Sequence, residues 1–319
     1  MFPPDQYELL DFGHGRRLER FGQLVLDRPY PAVEQEAIAD AHAWANADAG
    51  FVRPTDGEAY WMPGATGGFP SGAGPHSSLL PEGEGTEGGE SELPNCWTIA
   101  WRELVLELKR TPAGQVGVFP EQASNWDWLQ RHGGGCRLLN LFAYTGGSTL
   151  TAAAAGAEVT HVDAAGNIVT WARRNADLSG LADAPIRWIT EDAVKFVKRE
   201  LKRGSRYDGV ILDPPSYGHG RRGEVWRLSK HLKRLLTMCA ELTANHRRLM
   251  LLTCHTPGYE APRLKTMLAE ALEEPPCNVG AAELTIPSRD GRAMPSGAAA
   301  WWSGRAGRSG QSHFRGERA

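Results

Sequence analysis

The stretch LLNLFAYTGGSTLTAAAAGAEVTHVDAA, residues 138–165, gives the clearest indication of the fold of this chain. It begins inside a short apolar run, Arg137–Phe142, which ends in small residues and glycines. An alanine-rich segment from Ser148 predicts a helix, and a second apolar run, Val159–Asp163, follows it. Strand, helix and strand in this order predict two parallel strands joined by a helical crossover.

The same alternation continues towards the C-terminus. Helix-period segments are centred on Trp171, Val197 and Leu235, and the apolar runs between and after them predict strands at Ile186–Ile189, Tyr207–Leu212 and Leu249–Cys254. Near the end, Ala282–Pro287 and Ala298–Trp302 flank an Asp-Gly turn at Asp290-Gly291, which predicts a hairpin. We therefore expect an α/β fold with a doubly wound, mostly parallel sheet and a C-terminal antiparallel hairpin.

The N-terminal third follows a different pattern. Glu8–Leu26 alternates apolar and polar residues around a Gly13-His14-Gly15 turn, which predicts a hairpin. Trp97–Lys109 also alternates and predicts strands. Between them, residues 62–94 are dense in glycine, proline, serine and glutamate, which is typical of a flexible linker. The predicted domains are a β-rich segment 1–61, the linker 62–94, completing strands 95–119, an α/β domain 120–302 and a disordered basic tail 303–319.

Composition excludes several classes of protein. The 319 residues suit two domains, and 41% hydrophobic with 23% charged residues excludes a wholly disordered or fibrous chain. No signal-peptide core and no apolar run near the roughly 18 residues of a membrane span are present. Five scattered cysteines without a CxxC pair favour reduced thiols in a cytoplasm over a disulfide framework or a metal site. The net charge of −3 carries no overall signature of nucleic-acid binding.

Carboxylates follow three of the predicted strands. Asp163 lies near the roughly 20-residue interval after the glycine loop at which an acidic side chain meets a ribose. Asp192 could accept a hydrogen bond from an adenine amine, and Asp213 begins a rigid loop with Pro214 and Pro215. Capping of a helix N-terminus is the alternative role for each carboxylate alone. The glycine spacing is not GxGxxG, which argues against a nicotinamide-dependent dehydrogenase.

Together with WARRNADLSGL (171–181), EDAVKFV (191–197) and YDGVILDPPSYG (207–218), the stretch 138–165 resembles the class I S-adenosylmethionine (SAM)-dependent methyltransferases. The closest similarity is to the bacterial branch that contains the 23S rRNA cytosine-C5 methyltransferases, whose first motif reads N-x-F-A-Y-T-G-G, as at Asn140–Gly147. Gly117–Gln122 is similar to a loop that closes over the cofactor in that branch. The resemblance covers about residues 110–302 and implies a seven-stranded, Rossmann-like sheet, with SAM as the cofactor.

The resemblance also implies roles for individual residues. Asp163 would bind the ribose, Asp192 the adenine amine, and Asp213 would border both the methionine amine and the substrate. Cys254 stands where the branch places its nucleophilic cysteine, so Cys254 and Asp213 are the expected catalytic residues. The other residues expected to contact the cofactor are Phe119, Asn140, Phe142, Ala143, Tyr144, Thr145, Gly146 and Pro214.

Two departures from the branch are visible. The usual Ser-Cys-Ser is Thr253-Cys254-His255 here, and Ser216-Tyr217 replaces a basic residue and an aromatic after the proline pair. The resemblance favours methylation of RNA, at a pyrimidine C5 of ribosomal RNA. Methylation at nitrogen or oxygen of a small molecule or protein, with a structural Cys254, is the alternative within enzymes. A non-catalytic protein that binds SAM or RNA is the alternative outside them.

Overall fold

A computed structural model describes residues 1–66, 93–219 and 225–304 of the chain. The predicted tail beyond Gly304 and most of the predicted linker lie outside these residues. The chain divides into two compact units. The first contains Met1–Ala123, Asp177–Ser179 and Thr285–Ser296, and the second contains the remaining residues.

The first unit is built mainly from β-strands. Strands β1 to β5 form one sheet in sequence order, in which β3 and β4 are parallel and the other neighbours are antiparallel. A separate hairpin joins β6 and β7. The elements are β1 (Tyr7–Gly13), β2 (Arg16–Phe21), β3 (Leu24–Pro29), α1 (Ala41–Ala45), β4 (Ala49–Val52), β5 (Tyr60–Pro63), β6 (Cys96–Trp101) and β7 (Leu104–Lys109).

Buried charges stabilise this unit. Glu19 on β2 receives hydrogen bonds from the Arg28 guanidinium and from the Tyr7 hydroxyl, and Arg17 lies 3.2 Å from the same carboxylate. Arg28 and Glu19 are both fully buried. Because an unpaired charge is costly in a protein interior, these groups are stable there only as a set.

The second unit contains the predicted alternation of strands and helices. The elements are α2 (Ala123–His132), β8 (Arg137–Leu141), α3 (Gly147–Ala154), β9 (Glu158–Asp163), α4 (Gly166–Leu178), β10 (Ile186–Thr190), α5 (Ala193–Arg203), β11 (Gly209–Leu212), β12 (Tyr217–His219), β13 (Val225–Arg227), α6 (Leu228–Leu242), β14 (Leu249–Cys254), α7 (Ala261–Leu272), β15 (Gly280–Pro287) and β16 (Ala293–Ser303). Part of β15 and part of β16 belong to the first unit, which includes Thr285–Ser296.

Seven strands form the main sheet, in the order β10-β9-β8-β11-β14-β16-β15. The first five are parallel, and β16 runs antiparallel to β14. The chain order reverses between β8 and β11, and ligands of open α/β sheets bind beyond the carboxyl ends of the strands at such a point. The in-register pairs Leu141↔Leu212 and Leu212↔Leu252 bring the carboxyl ends of β8, β11 and β14 to one level.

The predicted fold class is confirmed, including the seven strands, and β15 and β16 are neighbours at one end of the sheet. The predicted strand Leu249–Cys254 matches β14 residue for residue. Helices α2 and α7 were not predicted, and β5 uses Met62 and Pro63, the first residues of the predicted linker. Within the described ranges, no helix has both the length and the apolar character needed to cross a bilayer.

Candidate functional site

The loop between β8 and α3 has an unusual backbone. Phe142 has a φ of 57°, Tyr144 of 49° and Gly146 of 95°, whereas Ala143 and Thr145 are not in the positive-φ region. Bulky side chains rarely adopt positive φ, and such strain tends to cluster at ligand sites.

Three contacts hold this loop in place. Asn175 on α4, fully buried, donates a hydrogen bond from Nδ2 to the Thr145 carbonyl at 2.9 Å. Tyr144 N donates to Asp163 Oδ2 at 3.0 Å. A Cβ atom at Gly147 would overlap the indole of Trp126, so this position requires glycine. Contacts with α4, β9 and α2 therefore fix the position of this loop.

Helix α3 begins directly after the loop, at Gly147. Its N-cap residue, Gly146, has no side chain with which to cap the first N–H groups of the helix. Those N–H groups have no partner within a helix, and the helix dipole makes this end positive. A carboxylate or phosphate of a ligand fits here, beside the strained loop.

Asn140 does not face the loop as a free polar group. Its amide is buried and donates to Thr149 Oγ1 at 2.9 Å, and the same oxygen lies 2.9 Å from His161 Nδ1. Because Thr149 accepts from Asn140, its own hydrogen is available to His161 Nδ1. This chain, which we call the Asn140–Thr149–His161 network, joins β8, α3 and β9 beneath the loop.

Asp163 ends β9 and lies beside the first residue of the loop, because Leu141 pairs with Val162. Both carboxylate oxygens accept backbone N–H groups, Oδ2 from Tyr144 and Oδ1 from Ala165, each at 3.0 Å. Burial raises the pKa of Asp163, and these hydrogen bonds only partly oppose the increase. Each oxygen can accept a further bond, so the carboxylate can still bind two vicinal hydroxyls.

Asp192 caps α5. Its Oδ1 accepts a hydrogen bond from Lys195 N at 2.9 Å, which is the ordinary role of aspartate at a helix N-terminus. It lies two residues beyond Thr190, which pairs with Asp163, and therefore belongs to the same edge of the sheet. A second role towards an adenine amine stays a prediction.

The loop that begins with Asp213 is fixed by three hydrogen bonds. Trp226 Nε1 donates to the Pro215 carbonyl at 2.7 Å, and Leu228 N donates to the Ser216 carbonyl at 3.0 Å. Ser216 and Thr256 share a 2.6 Å hydrogen bond between their hydroxyls, which ties this loop to the loop after β14. The Trp226 ring also packs 5.0 Å from that of Phe142.

Asp213 itself lies opposite a histidine. Its Oδ1 is 3.4 Å from His255 Nε2, and the two side chains are 28% and 35% exposed. Burial raises the pKa of Asp213, but the charge of His255 and hydrogen bonds from His255 and Thr253 outweigh it, so the pKa lies below its ordinary value. The carboxylate is therefore ionised at neutral pH and partly open to a ligand.

Cys254 lies at the end of β14, two positions along from the in-register pair of Leu212 and Leu252. The residue is only 1% exposed and belongs to the main hydrophobic core. Burial raises the pKa of its thiol, the nearby Asp213 adds to the increase, and hydrogen bonds with Thr256 and the charge of Arg263 partly oppose it. The thiol is therefore protonated at neutral pH in this arrangement.

The remaining predicted residues are placed as follows. Ala143 and Pro214 are buried at the ends of β8 and β11, which places them at the same edge as Asp163 and Asp213. Phe119 belongs to the first unit, where it precedes the 3-10 turn Pro120–Gln122. The side chain of His219, the last residue of β12, lies outside the described residues.

Two contacts of the site are not evident from the sequence, those of Asn175 with Thr145 and of His255 with Asp213. Asn175 lies on the buried face of α4 with Ala172 and Ala176, and a polar residue on an apolar face is a signal that could have marked it. In the sequence, His255 is visible only as the residue that follows Cys254. Its pairing with Asp213 depends on the adjacency of β11 and β14, which the sequence does not state.

Comparison with known proteins agrees with this geometry. The model of the S-adenosylmethionine-dependent methyltransferase family matches residues 85–279, more than half of the chain. The crystal structure of a SAM-dependent methyltransferase from Agrobacterium tumefaciens is 34% identical and aligns with a TM-score of 0.78, covering 93% of this chain and 90% of that one. The crystal structure of SMU.776 complexed with SAH has a TM-score of 0.65 at 16% identity, covering 93% of this chain and 75% of that one, and shows the fold alone.

Curated relatives match a shorter region. The ribosomal RNA large subunit methyltransferase K/L of Hahella chejuensis is 34% identical over 130 residues, 40% of this chain and 18% of the relative. The ribosomal RNA large subunit methyltransferase I of Aeromonas hydrophila is 32% identical over 108 residues, 34% of this chain and 27% of the relative. The matched region thus spans about a fifth to a quarter of these relatives. From the family match and the near full-length similarity to the Agrobacterium enzyme, we conclude that this chain belongs to the family of S-adenosylmethionine-dependent methyltransferases.

Proposed function

We propose that this enzyme methylates large-subunit ribosomal RNA, and that its acceptor is C5 of a pyrimidine. The observation that carries the RNA substrate is the similarity, above 30% identity, to parts of two enzymes named for large-subunit ribosomal RNA. The C5 acceptor is supported by Cys254 at the end of β14, at the same sheet edge as Asp213.

The strained loop and the carboxylates provide complementary groups for SAM. The N-terminus of α3, with Phe142–Gly146, would take the methionine carboxylate. Asp163 would accept from the ribose hydroxyls and Asp192 from the adenine amine. Asp213 and the Pro214 carbonyl would face the methionine amine. Asn140 would act indirectly, because its amide is used to hold Thr149 at the first turn of α3.

The bound cofactor would supply an electrophilic methyl group on a sulfonium centre. Pyrimidine C5 is a weak nucleophile, and addition of a thiolate to C6 makes it enamine-like. Cys254 would form that bond and leave again when the C5 proton is removed. Because burial raises the pKa of the Cys254 thiol, this route requires a base that deprotonates it in the substrate complex.

Transfer to a ring nitrogen or exocyclic amine is the second candidate. It is favoured by one observation, the location of Cys254 inside the hydrophobic core with a raised pKa. In that case Cys254 is a packing residue, and the Asp213-Pro-Pro loop orients the acceptor nitrogen. The RNA substrate is common to both candidates.

Surface groups of the second unit are compatible with RNA. Tyr217, directly after the Asp213 loop, is 49% exposed, and the Arg227 guanidinium lies 6.0 Å from its ring. An exposed aromatic beside a cation suits stacking on an unpaired base. Helix α5 exposes Lys198 and Lys202, and such cations attract phosphates in a salt-dependent manner.

The test is methyl transfer from labelled SAM to unmodified large-subunit ribosomal RNA transcribed in vitro, followed by nucleoside analysis. We expect label in 5-methylpyrimidine, and a covalent adduct with RNA that contains 5-fluoropyrimidine, visible by mass spectrometry. Cys254→Ala should form no adduct. Label in an N-methylated nucleoside, with full activity of Cys254→Ala, would establish the second candidate, and no transfer to RNA by an enzyme that binds SAM would refute both.

A further inference from the structure

The loop after β14 carries a histidine that the expected mechanism does not use. His255 immediately follows Cys254, at the position where the resembling branch has serine. Its Nε2 lies 3.4 Å from Asp213 Oδ1, and its side chain is 35% exposed. It is therefore an imidazole at the carboxyl edge of the sheet that both contacts a carboxylate and remains open to a ligand.

Gly297 makes room for this imidazole. It lies beside Ala298, which pairs with Cys254 in the antiparallel β14–β16 ladder. A Cβ at position 297 would come within 2.8 Å of His255 Nδ1 and 2.6 Å of the Cys254 carbonyl oxygen. The φ of Gly297 is +108°, which other residues rarely adopt. The ring is thus confined between Asp213 and the glycine of β16.

The charged and titratable groups around this ring differ in their ability to accept a proton. Asp213, after β11, has a lowered pKa and is a weak base. The Cys254 thiol has a raised pKa, and Arg263 on α7, whose charge acts on Cys254, is a cation. A neutral imidazole accepts a proton near neutral pH, and a carboxylate behind it stabilises the imidazolium that forms.

Methylation at carbon or at nitrogen requires a proton acceptor. An electron pair of the acceptor atom forms the bond to the methyl carbon, and the pair of the broken carbon–sulfur bond stays on sulfur as a thioether. The acceptor then loses a proton, and the electron pair of that bond returns to the base ring. A base must receive this proton in either chemistry.

We propose that His255, oriented by Asp213, accepts the proton that the RNA base loses when it is methylated. The Asp213 carboxylate, 3.4 Å from Nε2, stabilises the imidazolium that forms. The inference rests on the proposed RNA methylation but not on the choice between carbon and nitrogen. It assigns to Asp213 the positioning of His255 in addition to its contact with the cofactor.

The test compares wild type with His255→Gln, whose amide retains a donor towards Asp213 but cannot take up a proton. The control is His42→Gln, an exposed histidine on α1 in the first unit. We expect kcat of His255→Gln to fall by about 10²- to 10⁴-fold, the usual contribution of a general base. The Kd for SAM, from calorimetry, and the KM for RNA should change less than about twofold, and His42→Gln should match wild type.

Two further readouts separate a catalytic from a structural role. The kcat of wild type should decrease with falling pH as the base becomes protonated, and His255→Gln should lose this dependence. Without any cofactor, the pKa of Asp213, followed by carboxyl ¹³C NMR, should rise in His255→Gln because the neighbouring cation is gone.

The outcomes are distinct. Wild-type kcat and an unchanged pH profile in His255→Gln, with RNA still methylated, would overturn the role of His255 alone. An unchanged pKa of Asp213 would also overturn it, because the pair would not exist in solution. Failure of wild type to methylate RNA while it binds SAM would instead overturn the proposed function, and the base role with it.

Discussion

His161 should make the second unit sensitive to acid. Its imidazole is fully buried on β9, and among the described residues its Nε2 has no hydrogen-bond partner. Burial, assisted by the charge of Arg173, lowers the pKa of His161 from 6.5 to about 3. The folded protein therefore keeps this ring neutral at pH values where the unfolded chain protonates it.

The direction and size of the effect follow from linkage. Below pH 6.5 the His161 side chain binds a proton in the unfolded state, whereas in the folded state it binds one only near pH 3. The free energy of unfolding therefore falls as the pH falls from 6.5 to 3. At about 1.36 kcal/mol per pKa unit, lowering the pH from 8 to 5 should cost about 2 kcal/mol from this group alone.

Urea unfolding of wild type and His161→Gln at pH 8, 7, 6 and 5 isolates the contribution, because the amide stays neutral throughout. The difference in unfolding free energy between the two proteins should shift by about 2 kcal/mol in favour of the variant at pH 5. A difference that stays constant with pH would refute the reasoning. If the variant does not fold, NMR titration of wild type provides the test. Protonation of His161 near pH 6 in the folded state would contradict the lowered pKa.

Three further substitutions test the site. Asp163→Ala removes a charged acceptor and should weaken SAM binding about 10- to 200-fold in calorimetry, which corresponds to about 1.5–3 kcal/mol; unchanged affinity would remove Asp163 from the site. Gly147→Ala forces a methyl group into the Trp126 indole and should lower the free energy of unfolding by about 1–3 kcal/mol; thermal unfolding that matches wild type would show that Trp126 relaxes freely. Asp192→Ala removes the cap of α5 and should cost about 0.5–2 kcal/mol in urea unfolding. SAM affinity measured on Asp192→Ala separates capping from adenine binding, because a pure cap leaves it unchanged.

Periodicity in the sequence was sufficient for the α/β class and for strands such as β14. These depend on local apolar patterns, and the burial of both faces of a parallel sheet makes such runs conspicuous. The parallel pairing of β3 with β4 could not be predicted from the sequence, because β4 (Ala49–Val52) is short and a helix separates it from β3. The buried pair of Arg28 and Glu19 was equally hidden, since charged residues in a strand normally indicate a solvent-facing side.

In the candidate site too, the positions of residues along the chain could be predicted, but their contacts could not. The strand-end positions of Asp163, Asp213 and Cys254 follow from the chain alone, since each ends or follows an apolar run. Their partners do not: Asn175 meets Thr145, and His255 meets Asp213, through contacts between separate elements. The burial of Cys254 depends on the antiparallel strand β16, so its raised pKa could not be predicted from its own segment.

The first unit is assembled from three separate pieces of the chain, and this has a consequence for how it folds during synthesis. Its last piece supplies Arg292, whose guanidinium binds the buried carboxylate of Asp11 on β1. At about 5–20 residues per second, a ribosome needs on the order of 10–30 s to pass from Ala123 to Ser296. Through that interval Asp11 must remain without its guanidinium partner. The unit that leaves the ribosome first is thus completed only after nearly all of the second has been made.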